Sequence, residues 1–76
     1  MQWLIAVLRW NGTQGDLLIQ TEDERLFKLS VNAISPDTIA QAIAERFEIP
    51  VNRVVYNATK QTLYRRLTYM QFLVME

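Results

Sequence analysis

The residues of this sequence that could bind a ligand are arginines, lysines and tyrosines concentrated toward its C-terminal end. They are Arg53, Tyr56, Lys60, Tyr64, Arg65, Arg66 and Tyr69. Arginine side chains can contact phosphates and tyrosine rings can stack on bases, so this segment predicts a nucleic-acid surface as one function. Tyrosine and arginine are also favoured in protein interfaces, which predicts a protein-binding surface from the same residues.

The charge of the chain favours the second interpretation. Its 76 residues carry eight Lys+Arg and eight Asp+Glu, whereas proteins that bind polyanions generally carry a basic excess. The charge is unevenly distributed along the sequence. Residues 1–48 hold four basic and seven acidic residues, a balance of −3, and residues 49–76 hold four basic and one acidic, a balance of +3. The basic C-terminal segment is therefore a candidate surface for a protein partner.

Enzymatic chemistry has little support in the residue types. The sequence contains no cysteine and no histidine, which excludes thiolate and imidazole metal ligands and every nucleophile paired with a histidine. The acidic cluster Glu22–Glu24 lacks the ligand spacing and the glycine of an EF-hand and is typical of an exposed turn. We expect no enzymatic activity, no catalytic residue, no metal and no cofactor.

Length and hydropathy predict a single domain over residues 1–76. No apolar run approaches the roughly 18 residues of a membrane span. The apolar first residues are not preceded by the basic segment of a secretion signal. We therefore expect a cytoplasmic protein that does not bind membranes.

Hydrophobic patterning predicts the strands that position the candidate residues. Residues 3–10 and 67–75 have mostly apolar side chains at both odd and even positions, so both faces of each strand are apolar. This pattern is typical of central strands covered on both faces. Further strands are predicted at residues 26–31 and 53–56, and residues 17–20 are predicted to form a second strand or a long hairpin arm, so two or three strands precede the helix. An extra strand or an extended hairpin is expected within residues 10–24, and a polar turn at residues 57–62.

One helix is predicted at about residues 36–48. Ser35 is a suitable N-cap, Pro36 fits the first helical position, and Pro50 ends the helix because the residue before a proline favours extended geometry. The apolar residues of this segment recur at spacings of three and four: Ile39, Ala42, Ile43 and Phe47. This spacing predicts a helix that covers one face of a small sheet.

The two tryptophans are predicted to face opposite sides of the first strand. Trp3 and Trp10 lie seven residues apart, and successive side chains of a strand alternate between its faces. We expect Trp3 to lie in the core and Trp10, near the turn, to lie in an interface.

Several segments of the chain resemble ubiquitin-like domains. The resembling residues are Met1-Gln2 before the first strand, Leu26–Val31 with Ser35–Ile39, Phe47–Pro50, and Arg53–Tyr56 with Lys60-Gln61 and Leu63. The likeness covers about residues 1–8 and 25–63. It implies an α+β fold of the β-grasp (ubiquitin-like) type, in which a mixed sheet of four to five strands packs on one helix and the first and last strands are central.

The resemblance also implies where a partner would bind. In this family the main recognition surface centres on an apolar strand residue that corresponds here to Val55, beside a lysine that corresponds to Lys60. Modifiers and sulfur carriers of the family act through a tail ending in Gly-Gly, whereas this sequence ends Phe72-Leu73-Val74-Met75-Glu76. We therefore expect neither of those two activities.

Together these patterns predict a small adaptor or inhibitor that binds another protein through its sheet face. The predicted partner-binding residues are Trp10, Arg53, Val55, Lys60, Arg65, Arg66 and Tyr69. The alternative is a nucleic-acid-binding module that uses the basic and aromatic C-terminal segment. Pairing of two copies through an edge strand is a further expectation, because an unpaired edge presents free backbone groups.

Overall fold

The computed structural model describes residues 2–12, 14–64 and 67–75. Its elements are β1 (Gln2–Asn11), β2 (Gln14–Thr21), β3 (Leu26–Val31), α1 (Pro36–Phe47), a short 3₁₀ helix (Val51–Arg53), β4 (Val54–Tyr64) and β5 (Leu67–Val74). The five strands form one sheet in the order β3-β2-β1-β5-β4, and α1 packs on one side of it. The predicted α+β class and the pairing of the first and last strands near the middle of the sheet are confirmed.

Every neighbouring pair of strands in this sheet is antiparallel, so the expected mixed sheet is wrong. The reason is the number of strands that precede the helix. With three strands before α1, β3 runs parallel to β1. The helix returns the chain to the end of the sheet at which β3 began, so β4 also runs parallel to β1. β5 then pairs antiparallel with β4 and so also runs antiparallel to β1. Two strands before the helix would have made the terminal strands parallel.

The helix begins and ends as its sequence predicts. The Ser35 side chain accepts a hydrogen bond from the backbone N–H of Thr38 at 3.2 Å, and Pro36 occupies the first turn. At the other end Glu48 adopts a left-handed conformation with φ of 57°, and the Ile49 N–H donates to the carbonyl oxygen of Ala44 at 3.0 Å. This arrangement satisfies carbonyl groups that the end of a helix otherwise leaves unpaired.

The helix buries one face of the sheet, here called the covered face. Its helical contribution consists of Ile39, Ala40, Ile43 and Ala44, and its strand contribution consists of Leu4, Ala6, Leu8, Leu17, Ile19, Val31, Val54, Met70 and Phe72. Near the β3 edge, Phe47 meets Phe27 edge to face with ring centroids 5.0 Å apart. The Arg46 guanidinium lies 4.5 Å from the Phe27 centroid and closes this end of the core.

Two loop predictions have different outcomes. The extended hairpin predicted within residues 10–24 is confirmed, because β2 pairs with β1 from Leu4↔Thr21 to Asn11↔Gln14. The turn predicted at residues 57–62 is wrong, because β4 continues through it. Pairing with β5 moves from Asn57↔Gln71 to Thr62↔Tyr69 across an irregularity, so residues 58–61 form a bulge in the strand.

Candidate functional site

The side of the sheet opposite the helix, here called the open face, has no element of the described chain packed on it. Strand register assigns to it the odd-numbered residues of β1 and their cross-strand partners. Its apolar and aromatic members are Trp3, Ile5, Val7, Leu18, Leu26, Val55, Leu67, Tyr69 and Leu73. The open face is therefore an apolar surface that spans all five strands.

Cross-strand pairing arranges these residues in continuous rows. Val7 lies between Leu18 and Tyr69 in one row. Trp3, Leu73 and Val55 form another, in which Leu73 pairs with both of its neighbours. Trp3 and Ile5 are each 37% exposed, Val55 is 40% exposed and Leu26 is 61% exposed. Contiguous exposed apolar surface of this kind is typical of interaction sites.

Amide side chains interrupt the apolar rows. Ile5 lies between Gln20 and Gln71, and Gln71 is opposite Asn57 on β4. The Asn57 Nδ2 group donates a hydrogen bond to Gln71 Oε1 at 3.0 Å. Each amide offers both donors and acceptors, so this row can hydrogen-bond to many kinds of partner surface.

A shallow groove of about 540 Å³ lies toward one corner of the open face. Apolar Val7, Leu18 and Leu67 lie along it, and three charged residues join them: Arg9, Asp16 and Lys28. Arg9 and Asp16 are direct cross-strand partners. The corner therefore carries charges of both signs beside an apolar floor, which is the composition of an interface rim.

Two of the predicted partner-binding residues, Val55 and Tyr69, lie on the open face. Arg53 lies in the 3₁₀ helix that precedes β4, where its carbonyl oxygen accepts a hydrogen bond from the Met75 N–H at 2.8 Å. Lys60 is exposed in the bulge of β4. The predicted residues Arg65 and Arg66 lie outside the described residues.

Trp10 lies on the other side of the sheet from Val55. It pairs with Gly15 at the end of the covered face. A Cβ atom added at Gly15 would lie 3.1 Å from Trp10 Cε3 and 2.7 Å from Leu8 Cδ1, which shows that both side chains pack over the glycine. The two tryptophans face opposite sides as predicted. The expectation that Trp3 lies in the core is wrong, because β1 is covered on one face alone and Trp3 belongs to the other.

The structure places two of the proposed nucleic-acid residues, Tyr56 and Tyr69, on opposite faces of the sheet. The Tyr56 ring packs toward the covered face, 5.3 Å from the Phe72 centroid, and its hydroxyl donates to Gln61 Oε1 at 2.7 Å. Tyr69 lies on the open face. Two tyrosines on opposite faces cannot stack on successive bases of one strand.

The acidic cluster Glu22–Glu24 lies in the turn between β2 and β3, as predicted. The Thr21 hydroxyl donates to the Asp23 carboxylate, and Arg25 Nε lies 2.9 Å from Asp23 Oδ2. The hydrogen bond from Thr21 and the neighbouring Arg25 hold the pKa of Asp23 below its ordinary value of 3.8. These contacts tie the turn together. Within residues 2–12, 14–64 and 67–75 no group of three or more acidic side chains is arranged to hold a metal ion.

The sequence-based site omitted five residues that form the middle of the open face: Trp3, Ile5, Val7, Leu18 and Leu73. The signal that could have found them is the apolar character of β1 and β5 at both parities. Since one helix can cover only one face of a sheet, the second apolar parity must lie exposed in the isolated chain.

Comparison with protein-family models, curated proteins and solved structures gives no match to this chain. No helix in the described part of the chain has the length and apolar character needed to cross a membrane.

Proposed function

We propose that the protein is a non-enzymatic binding module, a small adaptor or inhibitor, whose open face binds a protein partner. The observation that carries the proposal is the row of apolar residues through Trp3, Leu73 and Val55, together with the row through Val7, on a face that the helix does not cover. Burial of such surface on association is favourable by about 25 cal/mol per Å².

The scaffold that presents this face is a β-grasp-like one in our proposal. A helix on one side of the sheet and terminal strands paired near its middle support that assignment. The antiparallel β1–β5 pair is the feature in which this chain departs from the mixed sheet of ubiquitin-like domains. The resemblance of Val55 to the central apolar residue of the ubiquitin-like recognition surface adds support, because Val55 is exposed on the open face.

The residue types on the open face fit a protein partner. Tryptophan and tyrosine dominate binding energy in protein interfaces, and the face presents Trp3 and Tyr69. Aliphatic Ile5 and Val7 follow Trp3 on the same side of β1, and Val7 is the cross-strand partner of Tyr69. Polar contacts are available from the amide pair of Asn57 and Gln71. The charged residues Arg9, Asp16 and Lys28 add groups of both signs, so the face is neither strongly basic nor strongly acidic. A polyanion would require a more uniformly basic surface.

The test is site-specific photo-crosslinking from position 5 in the source cells. A photoreactive residue in place of Ile5 is expected to form adducts with a protein, whereas the same residue at exposed Gln41 on α1 is not. Addition of Val55→Asp is expected to abolish the adducts, since it places a charge in the apolar row.

Ala58→Asp is the matched control for the introduced charge. It adds the same carboxylate to the same strand, at an exposed position in the β4 bulge. Adducts that survive Val55→Asp in a folded protein, or adducts equally abundant from position 41, would contradict the proposal. Circular dichroism of each variant checks that the fold is retained.

A further inference from the structure

We infer that the protein that covers the open face is a second copy of this chain, with the two sheets packed face to face and the two helices on the outside. The inference rests on the proposed function, because it takes the open face as the contact surface and names what covers it.

The accessible surface of the single chain is larger than its mass predicts. It is 5323 Å², whereas a folded monomer of 8.9 kDa has about 4,800 Å². The excess over that average is about 500 Å². The single chain thus exposes surface that monomers of this mass ordinarily bury.

The dimensions of the open face fit what a dimer of small subunits needs. Five strands at about 4.8 Å spacing and about six residues at 3.4 Å rise give a face of about 24 by 20 Å in plan. A standard interface takes about 800 Å² of accessible surface from each partner and a weak one less than about 600 Å², so a face of this size fits a weak, concentration-dependent dimer. Stacked sheets lie about 10 Å apart, which leaves room for interdigitated Trp3, Ile5 and Tyr69 side chains.

The layout of the open face is self-complementary. In a two-fold dimer the same patch meets itself, so residues near the axis must tolerate their own copies. β1 is the middle strand of five, and the two open-face residues nearest its centre, Ile5 and Val7, are both aliphatic. These aliphatic residues would pack on one another at the axis, with the amides of Gln20 and Gln71 beside Ile5. The charged corner would lie toward the rim, where protein interfaces are usually polar.

The polar groups of the open face also match their own copies. Arg9, Asp16 and Lys28 supply both signs of charge, so a cation of one copy can approach a carboxylate of the other. The amides Gln20 and Gln71 donate and accept alike. The whole sequence has a net charge of zero, so two copies do not repel one another at long range.

The edges of the sheet are poorer surfaces for a second copy. β3 is six residues long and carries Lys28 at its middle, and β4 is interrupted by the bulge that contains Lys60. Short strands, lysines and bulges are the features by which proteins block pairing of exposed edges. Edge pairing is therefore the competing outcome in the experiment.

The first measurement is the molar mass of the purified chain across about 5 to 500 μM, a range suited to the weak dimer that a small interface forms. Light scattering is expected to show the mass doubling from 8.9 kDa as concentration rises. Ile5→Asp is expected to hold the chain as a monomer over the whole range, and Ala58→Asp on the β4 edge is expected to leave the dimer intact. A monomer at every concentration overturns the inference. A dimer that Ala58→Asp disrupts and Ile5→Asp does not is an edge-paired one and also overturns it.

The second measurement needs no charged substitution in the face. The sequence has two tryptophans, both 37% exposed, one on each side of the sheet. In Trp10→Phe the remaining Trp3 is expected to show a blue shift of fluorescence with rising concentration, because dimerisation removes it from water. In Trp3→Phe the remaining Trp10 is expected to show none. A concentration-dependent shift of Trp10 alone would place the contact on the other face and overturn the inference.

The two proposals fail separately. A chain that stays monomeric, with constant Trp3 emission, while position 5 crosslinks to a different protein, refutes the second copy and supports the proposed function. A chain that dimerises through its open face, with crosslinked adducts of twice its own mass, supports both. Adducts lost on Val55→Asp must then coincide with loss of the dimer.

Discussion

The covered face and the open face of this sheet are built from alternate residues of the same strands, and both are apolar. On β1, Leu4 and Ala6 are fully buried, whereas the intervening Ile5 is 37% exposed. The difference arises from what lies above each face. The helix supplies Ile39 and Ile43 to one of them, and no described element approaches the other. Apolar composition therefore identifies both faces of the sheet as surfaces whose burial is favourable. A chain with one helical layer can cover one of these two faces.

The polar content of the two faces differs as well. Among the residues that the structure describes, Thr21 is the one polar side chain buried on the covered face, where its hydroxyl accepts a hydrogen bond from the Arg25 N–H at 3.1 Å. The open face carries five amides and three charged residues among its apolar residues. A hydrophobic core excludes amide and charged side chains, whereas a protein interface includes them. The composition of the open face is therefore that of an interface and not that of a core.

The largest expected contrast between the faces comes from neighbouring residues of β5. Phe72 is fully buried on the covered face, and Leu73 lies half-buried on the open face. Phe72→Ala is expected to lower the free energy of unfolding by about 3–5 kcal/mol, because it leaves a cavity under the helix. Leu73→Ala is expected to cost about 1 kcal/mol at low micromolar concentration. Urea denaturation of both variants measures the difference. Equal losses would show that the two faces are buried alike.

A smaller contrast comes from adding a methyl group to the covered face. Gly15→Ala places a Cβ 2.7 Å from Leu8 Cδ1 and 3.1 Å from Val31 Cγ2, and neither side chain has open space to move into. We expect a loss of about 1–3 kcal/mol from overpacking. The adjacent Asp16→Ala, on the open face, is expected to change stability by no more than about 0.5 kcal/mol. Thermal or urea unfolding of the two variants is the measurement, and a Gly15→Ala protein as stable as Asp16→Ala would contradict the close packing around Trp10.

The sequence predicted the helix best, because the information for its ends is local. Ser35, Pro36 and Pro50 act on their own backbone, so their roles could be recognised without knowing the fold. The central pairing of β1 and β5 was also predictable, since both strands are apolar at both parities. Strand direction was not, because it depends on whether two or three strands precede the helix, and that count depended on the ambiguous segment before Leu26.

The candidate site was predicted only in part for a related reason. Val55 and Tyr69 were found by resemblance and by residue type. Trp3 was predicted to lie in the core and Ile5 was given no binding role, because we expected apolar residues in a central strand to be covered on both sides. Trp10 was included because of its proximity to a turn, although strand parity places it on the covered face. Assignment of a residue to a face requires the register, and register is a long-range property that a single strand does not contain.

A more modest test concerns the helix that makes the faces different. Ser35→Ala removes the acceptor of the Thr38 N–H and is expected to destabilise the protein by about 1 kcal/mol. Ser35→Asp, which restores an acceptor at the N-cap, is expected to keep wild-type stability. Both are measured by urea denaturation followed through helical circular dichroism. An equal loss in the two variants would mean that Ser35 acts through packing and not as a cap.

The smallest expected effect lies at the polar exception of the covered face. Thr21 bonds to Asp23, whose pKa is held below 3.8 in the folded protein by that hydrogen bond and by Arg25. A carboxyl group with a lowered folded pKa stabilises the protein above its unfolded pKa, and this contribution disappears as the pH falls through the folded value. Asp23→Asn removes the titration. Wild type is therefore expected to be the more stable protein at neutral pH, and the gap is expected to close once the pH falls below 3.8.

Urea denaturation of wild type and Asp23→Asn from neutral pH into the acid range measures that gap. Because Asp23 is exposed, water screens its contacts, and the gap is expected to be the smallest of the four effects. Arg25→Gln is the matched control, since it removes the ion-pair partner and leaves the hydrogen bond from Thr21. In the Arg25→Gln protein, the loss of stability caused by Asp23→Asn at neutral pH is expected to be smaller than in wild type but still present. The reason is that the hydrogen bond from Thr21 is the first cause of the lowered pKa of Asp23. A gap that persists unchanged in acid would show that Asp23 supports the turn through its shape and not through its charge.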